Sequence, residues 1–287
     1  MNAAEKSARW LKYKAGLQDS SALTNAIRPY YDRFLSKIYE RQGLPRRMFE
    51  GEEIRIRPAH RYYHNGYEPE AFRYLRTVIR PGDTVLEVGT NIGIFTVLLA
   101  RWVAPSGRVY GFEPAPASRE ALRDHLELNG VAEHVTIVPA ALGSEQRLAD
   151  FYADGVSGQN TLSPRHTRIP GAARISVAVD TLDSFCQSNH LSPRVIKIDV
   201  EGFEHQVLAG GMGTLRAARP LVVAEFHPML WGETGSTAAD IKQTLNASAY
   251  DWKALSGQRD VFSEYGQVAL EPCEMKGSTA QRSSLLL

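Results

Sequence analysis

Apolar positions fall into two regimes along this chain. In the first eighty residues they recur at helical spacing. Ile27, Tyr31, Phe34 and Ile38 are interleaved with Arg33, Lys37 and Glu40, which predicts that residues 1–42 are helical. Gly43 and Pro45 end that region, and a short strand is expected at 53–57, before Pro58. Ala71, Phe72, Leu75, Val78 and Ile79 then mark a second amphipathic helix, stopped by Pro81-Gly82. From Asp83 the pattern changes. Apolar runs at 84–88, 108–112, 135–138, 195–200 and 221–226 alternate with helical stretches at 91–102, 116–129, 181–189 and 203–216. Strands alternating with helices predict parallel βαβ units. Residues 148–152 and 174–179 read as extra strands flanking a Gly-, Ser- and Pro-containing loop, 153–173. A helix near 237–247 and strands near 252–255 and 267–270 would add an antiparallel edge. The expectation is an α/β protein with a mostly parallel seven-stranded sheet, helices on both faces and a helical N-terminal extension.

Composition narrows the class without naming a function. The 287 residues suffice for one large domain with an added lobe, and 43% apolar content fits a sizeable core. The division expected is an extension at 1–60, a main domain at 61–275 and a loose tail at 276–287. Thirty-three basic against 32 acidic residues leave a formal charge of +1. No basic excess marks a nucleic-acid partner. Cys186 and Cys273 stand far apart, so neither a disulfide framework nor a zinc site is expected, and a reduced cytoplasmic setting is. Charged residues interrupt the first thirty positions, and no apolar run approaches a membrane span.

The strongest chemical signal is Val85-Leu86-Glu87-Val88-Gly89-Thr90-Asn91-Ile92-Gly93. A strand ends in an acid, a Gly-rich turn follows and a helix begins. Gly89 permits a tight turn and close approach by a ligand, and Gly93 lets the helix start pack against the strand. The spacing differs from the dinucleotide G-x-G-x-x-G, which argues against a nicotinamide or flavin cofactor. Twenty-four residues after Gly89, Glu113 ends the second strand, where an acid can accept both hydroxyls of a ribose. Glu87 beside the turn suits a cationic methionyl group and would repel a pyrophosphate. Together these residues point to an adenosine-containing, cationic cofactor.

From Gly66 to His227 the sequence resembles the FkbM-like methyltransferases. The pieces are Gly66-Tyr67-Glu68-Pro69-Glu70, the run from Pro81 to Gly93, Phe112-Glu113-Pro114, Leu128-Asn129-Gly130, Ala141-Leu142-Gly143, Thr181-Leu182-Asp183 and Ile196-Lys197-Ile198-Asp199-Val200-Glu201-Gly202-Phe203-Glu204. The last is the most family-specific. The resemblance implies a Rossmann-like class I fold and S-adenosyl-L-methionine as cofactor. It also implies O-methylation, often of a sugar or secondary-metabolite hydroxyl. Cofactor contacts are implied at Glu87, Gly89, Asn91, Gly93 and Glu113, with Ala140, Ala141 or Leu142 near the adenine and Glu68 folding over the site. Thr90 and Glu87 replace the commoner Ala and Asp. The first sixty residues match no family pattern.

Catalytic candidates follow from where ligands bind on an open parallel sheet, beyond the C-terminal strand ends. Lys197, Asp199 and Glu201 would share one strand face, as would Glu225 and His227. Methyl transfer is mainly a positioning task, and an alcohol must also lose a proton. Asp199 and Glu201 are the first candidates for base or cofactor anchor, and His227 is the second. The plainer readings pair Asp199 with Lys197 and make Glu201 a helix cap. Asp199 and Glu201 are also hard oxygen ligands, but no third ligand is evident, so no metal is expected. Arg165, His166 and Arg168 could meet an anionic substrate, though an exposed basic loop is the commoner explanation. The tyrosines and Phe34 of the N-terminal helices are expected to pack, against the core as a lid or against a second subunit. A cofactor-binding protein whose catalysis has lapsed is the competing class.

Overall fold

The structure is a computed structural model that describes residues 22–49, 51–63, 66–162 and 172–274. Helix α1 (Ala22–Tyr39) leads into an antiparallel hairpin, β1 (Leu44–Phe49) and β2 (Glu52–Ile56). The first βαβ unit comprises α2 (Pro69–Val78), β3 (Thr84–Val88), α3 (Ile94–Val103) and β4 (Arg108–Phe112). Next come α4 (Pro116–Leu128), β5 (Val135–Val138), β6 (Ala140–Leu142), β7 (Arg147–Ala153) and β8 (Ala173–Asp180). The second half holds α5 (Leu182–Ser188), β9 (Val195–Ile198), α6 (Glu204–Ala209), α7 (Met212–Ala217) and β10 (Leu221–Phe226). It ends with α8 (Pro228–Trp231), α9 (Ala238–Ser248), β11 (Tyr250–Ala254) and β12 (Gly266–Pro272).

Seven strands in the order β11-β12-β10-β9-β3-β4-β5 form the central sheet. β5, β4, β3, β9 and β10 are parallel, and β12 runs antiparallel between β10 and β11. The fold is therefore the expected Rossmann-like α/β class. Its inner strands are apolar on both faces, so both faces must be covered. Val85, Val109, Val195 and Val223 face α2, α3, α4 and the hairpin, where Leu75, Leu98, Leu122 and Ile54 are fully buried. Leu86, Ile196 and Val222 face the other way, against Leu182, Leu208, Leu215 and Ile241. Strand alternation thus divides the core into two layers. A separate sheet, β6-β8-β7, holds the segment between β5 and α5.

The differences from expectation have local causes. The N-terminal region is not wholly helical: β1 was hidden because Pro45, Arg46 and Arg47 give it no apolar alternation. Among the described side chains of α1, Leu35 is buried and Tyr31 half-buried, whereas Phe34 is 53% and Ile38 45% exposed. Phe34 and Ile38 therefore do not pack against the core of this chain, which leaves the second-subunit alternative open. The single helix expected over 203–216 is two. A Cβ at Gly210 would stand 2.0 Å from Gly143 O, and the chain breaks there to let β6's exit pass. Asp183 then caps the restart, accepting from Gly213 N–H at 2.8 Å and Thr214 N–H at 2.6 Å. Asp183→Ala is expected to cost about 1 kcal/mol, read from urea unfolding, with an unchanged denaturant slope. Residues 1–21 and the 276–287 tail lie outside the described residues.

Candidate active site

A cavity of ≈ 580 Å³ opens beyond the C-terminal ends of β3, β4, β9 and β10, where the strand order reverses. Its floor begins at the 89–93 turn. Gly89 adopts φ 88°, and a Cβ there would lie 1.8 Å from Asp199 O. The close approach that demands glycine is thus made by the end of β9, whose Asp199 N–H donates to Val88 O at 2.9 Å. Gly93 is off the cavity wall. Its Cβ would strike Leu122 of α4 at 2.2 Å, so it seats α3 on a helix rather than on the strand.

Between these glycines, Asn91 donates its backbone N–H to Glu113 Oε2 at 2.8 Å. Ala115 N–H donates to Glu113 Oε1 at the same distance. Each oxygen keeps acceptor capacity for a diol on the cavity side. Burial carries the Glu113 carboxyl up to about 7 against those two bonds. Glu87 is fully buried behind the turn, and its Oε2 has no hydrogen-bond partner among the described residues. Burial pushes it up to about 8, although Lys197 draws it down. A buried acceptor without a donor is costly, and a cationic group in the cavity would satisfy it. Ala141 and Leu142 line the opposite wall. Ala140 does not, since alternation along β6 turns its side chain away from that of Ala141.

Lys197, at the end of β9, is buried and surrounded by acids. Its Nζ lies 3.2 Å from Glu68 Oε2, 3.4 Å from Asp199 Oδ2 and 4.6 Å from the Phe95 ring centroid. Burial opposes its charge, but Glu68, Asp199, Glu87 and Glu225 outweigh that and raise its pKa. Glu68, itself left-handed at φ 47° ahead of α2, lines the cavity beside Lys197. Its neighbours Tyr63 and Tyr67 wall the same side, and Asn91 Nδ2 donates to Tyr63 Oη at 3.3 Å. Sequence reading assigns neither tyrosine a role: Tyr67 enters only as a member of the Gly66–Glu70 motif, and Tyr63 carries no signal.

Glu201 arrives by a different route from the one expected. β9 stops at Ile198, and Glu201 sits in the following turn at φ 50°, with its carboxylate on the cavity wall. Burial lifts it to about 7, while the His227 cation pulls the other way. His227, after β10, lies outside the cavity lining and behind Glu201. Its Nε2 is 3.6 Å from Glu201 Oε2 and 3.8 Å from Glu225 Oε2, and its Nδ1 is 2.8 Å from Glu204 Oε1. Burial works against the imidazolium, yet Glu204, Glu201 and Asp199 carry it up to about 9. His227, read from the sequence as a candidate base and not as a ligand, is thus the third group beside Asp199 and Glu201. One ligand-type atom from each of the three falls within 4.8 Å of the others, and the ring's own proton supplies positive charge there. Glu225 accepts from Tyr265 Oη and from Gln267 Nε2 at 3.0 Å. Tyr265 and Gln267 also line the cavity, as does 157–162 from the β7–β8 loop. Arg165, His166 and Arg168 fall outside the described residues, and no described helix is long and apolar enough to cross a membrane.

Comparison with known proteins places this geometry. Residues 87–252, more than half the chain, match the model of the methyltransferase FkbM domain. The chain is similar to the 31-O-demethyl-FK506 methyltransferase FkbM of Streptomyces tacrolimicus, 31% identical over 182 residues. That match covers 54% of this chain and 70% of the relative. It is also similar to the hexuronic acid methyltransferase AglP of Haloferax volcanii, 25% identical over 167 residues, covering 56% of this chain and 62% of AglP. Among solved structures, methyltransferase FkbM from Methylobacillus flagellatus aligns with a TM-score of 0.46 and 15% identity. There 69% of this chain meets 50% of the other. The glycine turn, the acid of the second strand and the Asp199–Glu204 motif all fall within the matched span, and the chain belongs to the FkbM family of S-adenosylmethionine-dependent methyltransferases.

Proposed function

We propose that this enzyme methylates a hydroxyl oxygen of a small-molecule, sugar or secondary-metabolite acceptor, with Glu201 as the base. One observation carries the reading: Glu201 shares the cavity wall with the Gly89 turn and has a pKa of about 7. A carboxylate poised near neutrality is suited to taking a proton from an attacking alcohol. Asp199 is the weaker candidate because Lys197 already holds it.

S-adenosylmethionine supplies, when bound, an electrophilic methyl on a sulfonium. The residues present fit it. The partnerless Glu87 oxygen suits its cationic methionyl end, Glu113 its ribose hydroxyls, and Ala141 and Leu142 its adenine. Asn91 and Gly89 shape the turn between them. With the cofactor bound, the acceptor oxygen would take the methyl as its bond to sulfur breaks and the sulfur leaves as a neutral thioether; the hydroxyl proton would pass to Glu201, with the His227 ring behind that base. Residues 61–275 form the catalytic unit in this reading. The segment that carries Tyr63 and Glu68 joins it to the 1–60 extension, whose hairpin packs into the core layer and whose α1 we assign to a lid or subunit contact.

Product formation with a panel of hydroxyl, amine and carboxylate acceptors tests the oxygen assignment. Turnover confined to hydroxyl acceptors is expected, and turnover confined to amines would contradict it. Because Lys197 and His227 already supply cations to the acidic cluster, turnover should survive exhaustive chelation. Loss on chelation, restored by one divalent ion, would replace the base by a metal-assisted route through Asp199, Glu201 and His227.

A further inference from the structure

The Asp199–Glu204 motif closes on a carboxylate that the reaction above leaves without a task. Glu204 opens α6 and is completely buried. Three donors converge on it. Gly202 N–H reaches Oε1 at 2.9 Å, His227 Nδ1 reaches the same oxygen at 2.8 Å, and Trp231 Nε1 reaches Oε2 at 2.7 Å. An acid at a helix start ordinarily faces water and the helix dipole. A buried carboxylate is tolerated only when its oxygens are satisfied and its charge is met. Here the donors come from the Glu201 turn, from the ring after β10 and from α8.

That arrangement bears on Glu201. With Nδ1 committed to Glu204, the ring of His227 is oriented so that Nε2 faces Glu201 and Glu225. The turn itself is held on the same carboxylate through Gly202, whose φ is 96°. A Cβ on Gly202 would stand 2.6 Å from Leu230 of α8. Base, ring and α8 are therefore tied to one buried group.

We infer that Glu204 is a positioning residue for methyl transfer, clamping both His227 and the turn of Glu201 so that an imidazolium stands behind the base. The catalytic part of this rests on the reading of Glu201 as base. His227 is faced by Glu204 from α6, by Glu201 and Asp199 from the β9 end, by Glu225 from β10 and by the Tyr265 ring at 5.2 Å. Burial disfavours its cation, and the Glu204 bond is the largest opposing influence. The imidazolium in turn lowers the Glu201 carboxyl, which burial, Asp199 and Glu204 raise. Removing the Glu204 charge therefore frees the ring's proton near neutrality and moves the base upward.

Three variants and one spectroscopic titration test this. Glu204→Gln should bind S-adenosylmethionine within about twofold of wild type, lose about tenfold in kcat at pH 7 and shift the acid limb of the rate profile up by about one pH unit. Glu204→Asp, which keeps the charge, should return the limb towards its wild-type position. Trp231→Phe removes a neutral donor and should leave the limb unmoved. A merely structural role would lower the rate equally at every pH and leave the His227 titration unmoved, and that pair of results overturns the proposal. The His227 ring, followed by NMR in the wild-type protein, should hold its proton to about 9. Titration at its ordinary 6.5 would also overturn the proposal, even if Glu204→Gln failed to fold. A ring that shifts in Glu204→Gln beside a static acid limb supports the clamp and removes Glu201 as the base.

Discussion

Glu201→Gln is expected to lower kcat by about 10²–10⁴-fold while S-adenosylmethionine binds with nearly unchanged affinity. The amide preserves the volume of the side chain and the turn at φ 50°, so lost folding does not explain lost rate. It cannot take the acceptor proton. The wild-type profile should rise with pH through about 7, because a base works when ionised and burial sets Glu201 there. Loss of the His227 cation above about 9 should leave it level, because Glu201 is already ionised there. In Glu201→Gln the rise through about 7 should disappear. A variant with wild-type kcat would move the role to Asp199 or leave positioning alone as the source of rate. Asp199→Asn distinguishes those outcomes.

The second large effect concerns the cofactor. Glu113→Ala should weaken S-adenosylmethionine binding about 100-fold, equivalent to about 3 kcal/mol. Two sources add. The ribose hydroxyls lose a charged acceptor, and the backbone N–H groups of Asn91 and Ala115 lose the oxygens they meet at 2.8 Å. The glycine turn then loses the strut that fixes Asn91 at φ 48°. Equilibrium titration of folded Glu113→Ala reads the effect directly. A loss smaller than about threefold would mean that Glu113 only shapes the turn.

Much of this architecture was legible because its signals are local. Short apolar runs around Val85, Val109 and Val195 declare strands buried on both faces, and the spacing from Gly89 to Glu113 declares one βαβ unit. Both acids that end strands, Glu113 and Asp199, stand on the cavity wall. What the sequence hid depends on residues far apart in the chain. Glu68 meets Lys197 across 129 positions, and Gln267 meets Glu225 across 42. No periodicity predicts either. Gly89 was legible as a glycine position but not for its cause, since the atom it must avoid belongs to Asp199. Glu204 enters the sequence reading only as the last residue of the resemblance motif, and only the packing of His227 and Trp231 around it shows a buried clamp. The outward stripe of Phe34 and Ile38 shows the limit of amphipathic reading. Periodicity finds a face, and tertiary contacts decide which face is buried.

The central claim is that the cavity above β3 and β9 binds S-adenosylmethionine through the turn from Gly89 to Gly93 and Glu113. Calorimetric titration of the full chain with S-adenosylmethionine tests it most directly, with Glu113→Ala as comparator. The account predicts one site per chain with a Kd of about 1–100 μM, weakened about 100-fold in the variant. No heat of binding from folded wild-type protein across several temperatures, or equal affinity in the two proteins, would contradict it.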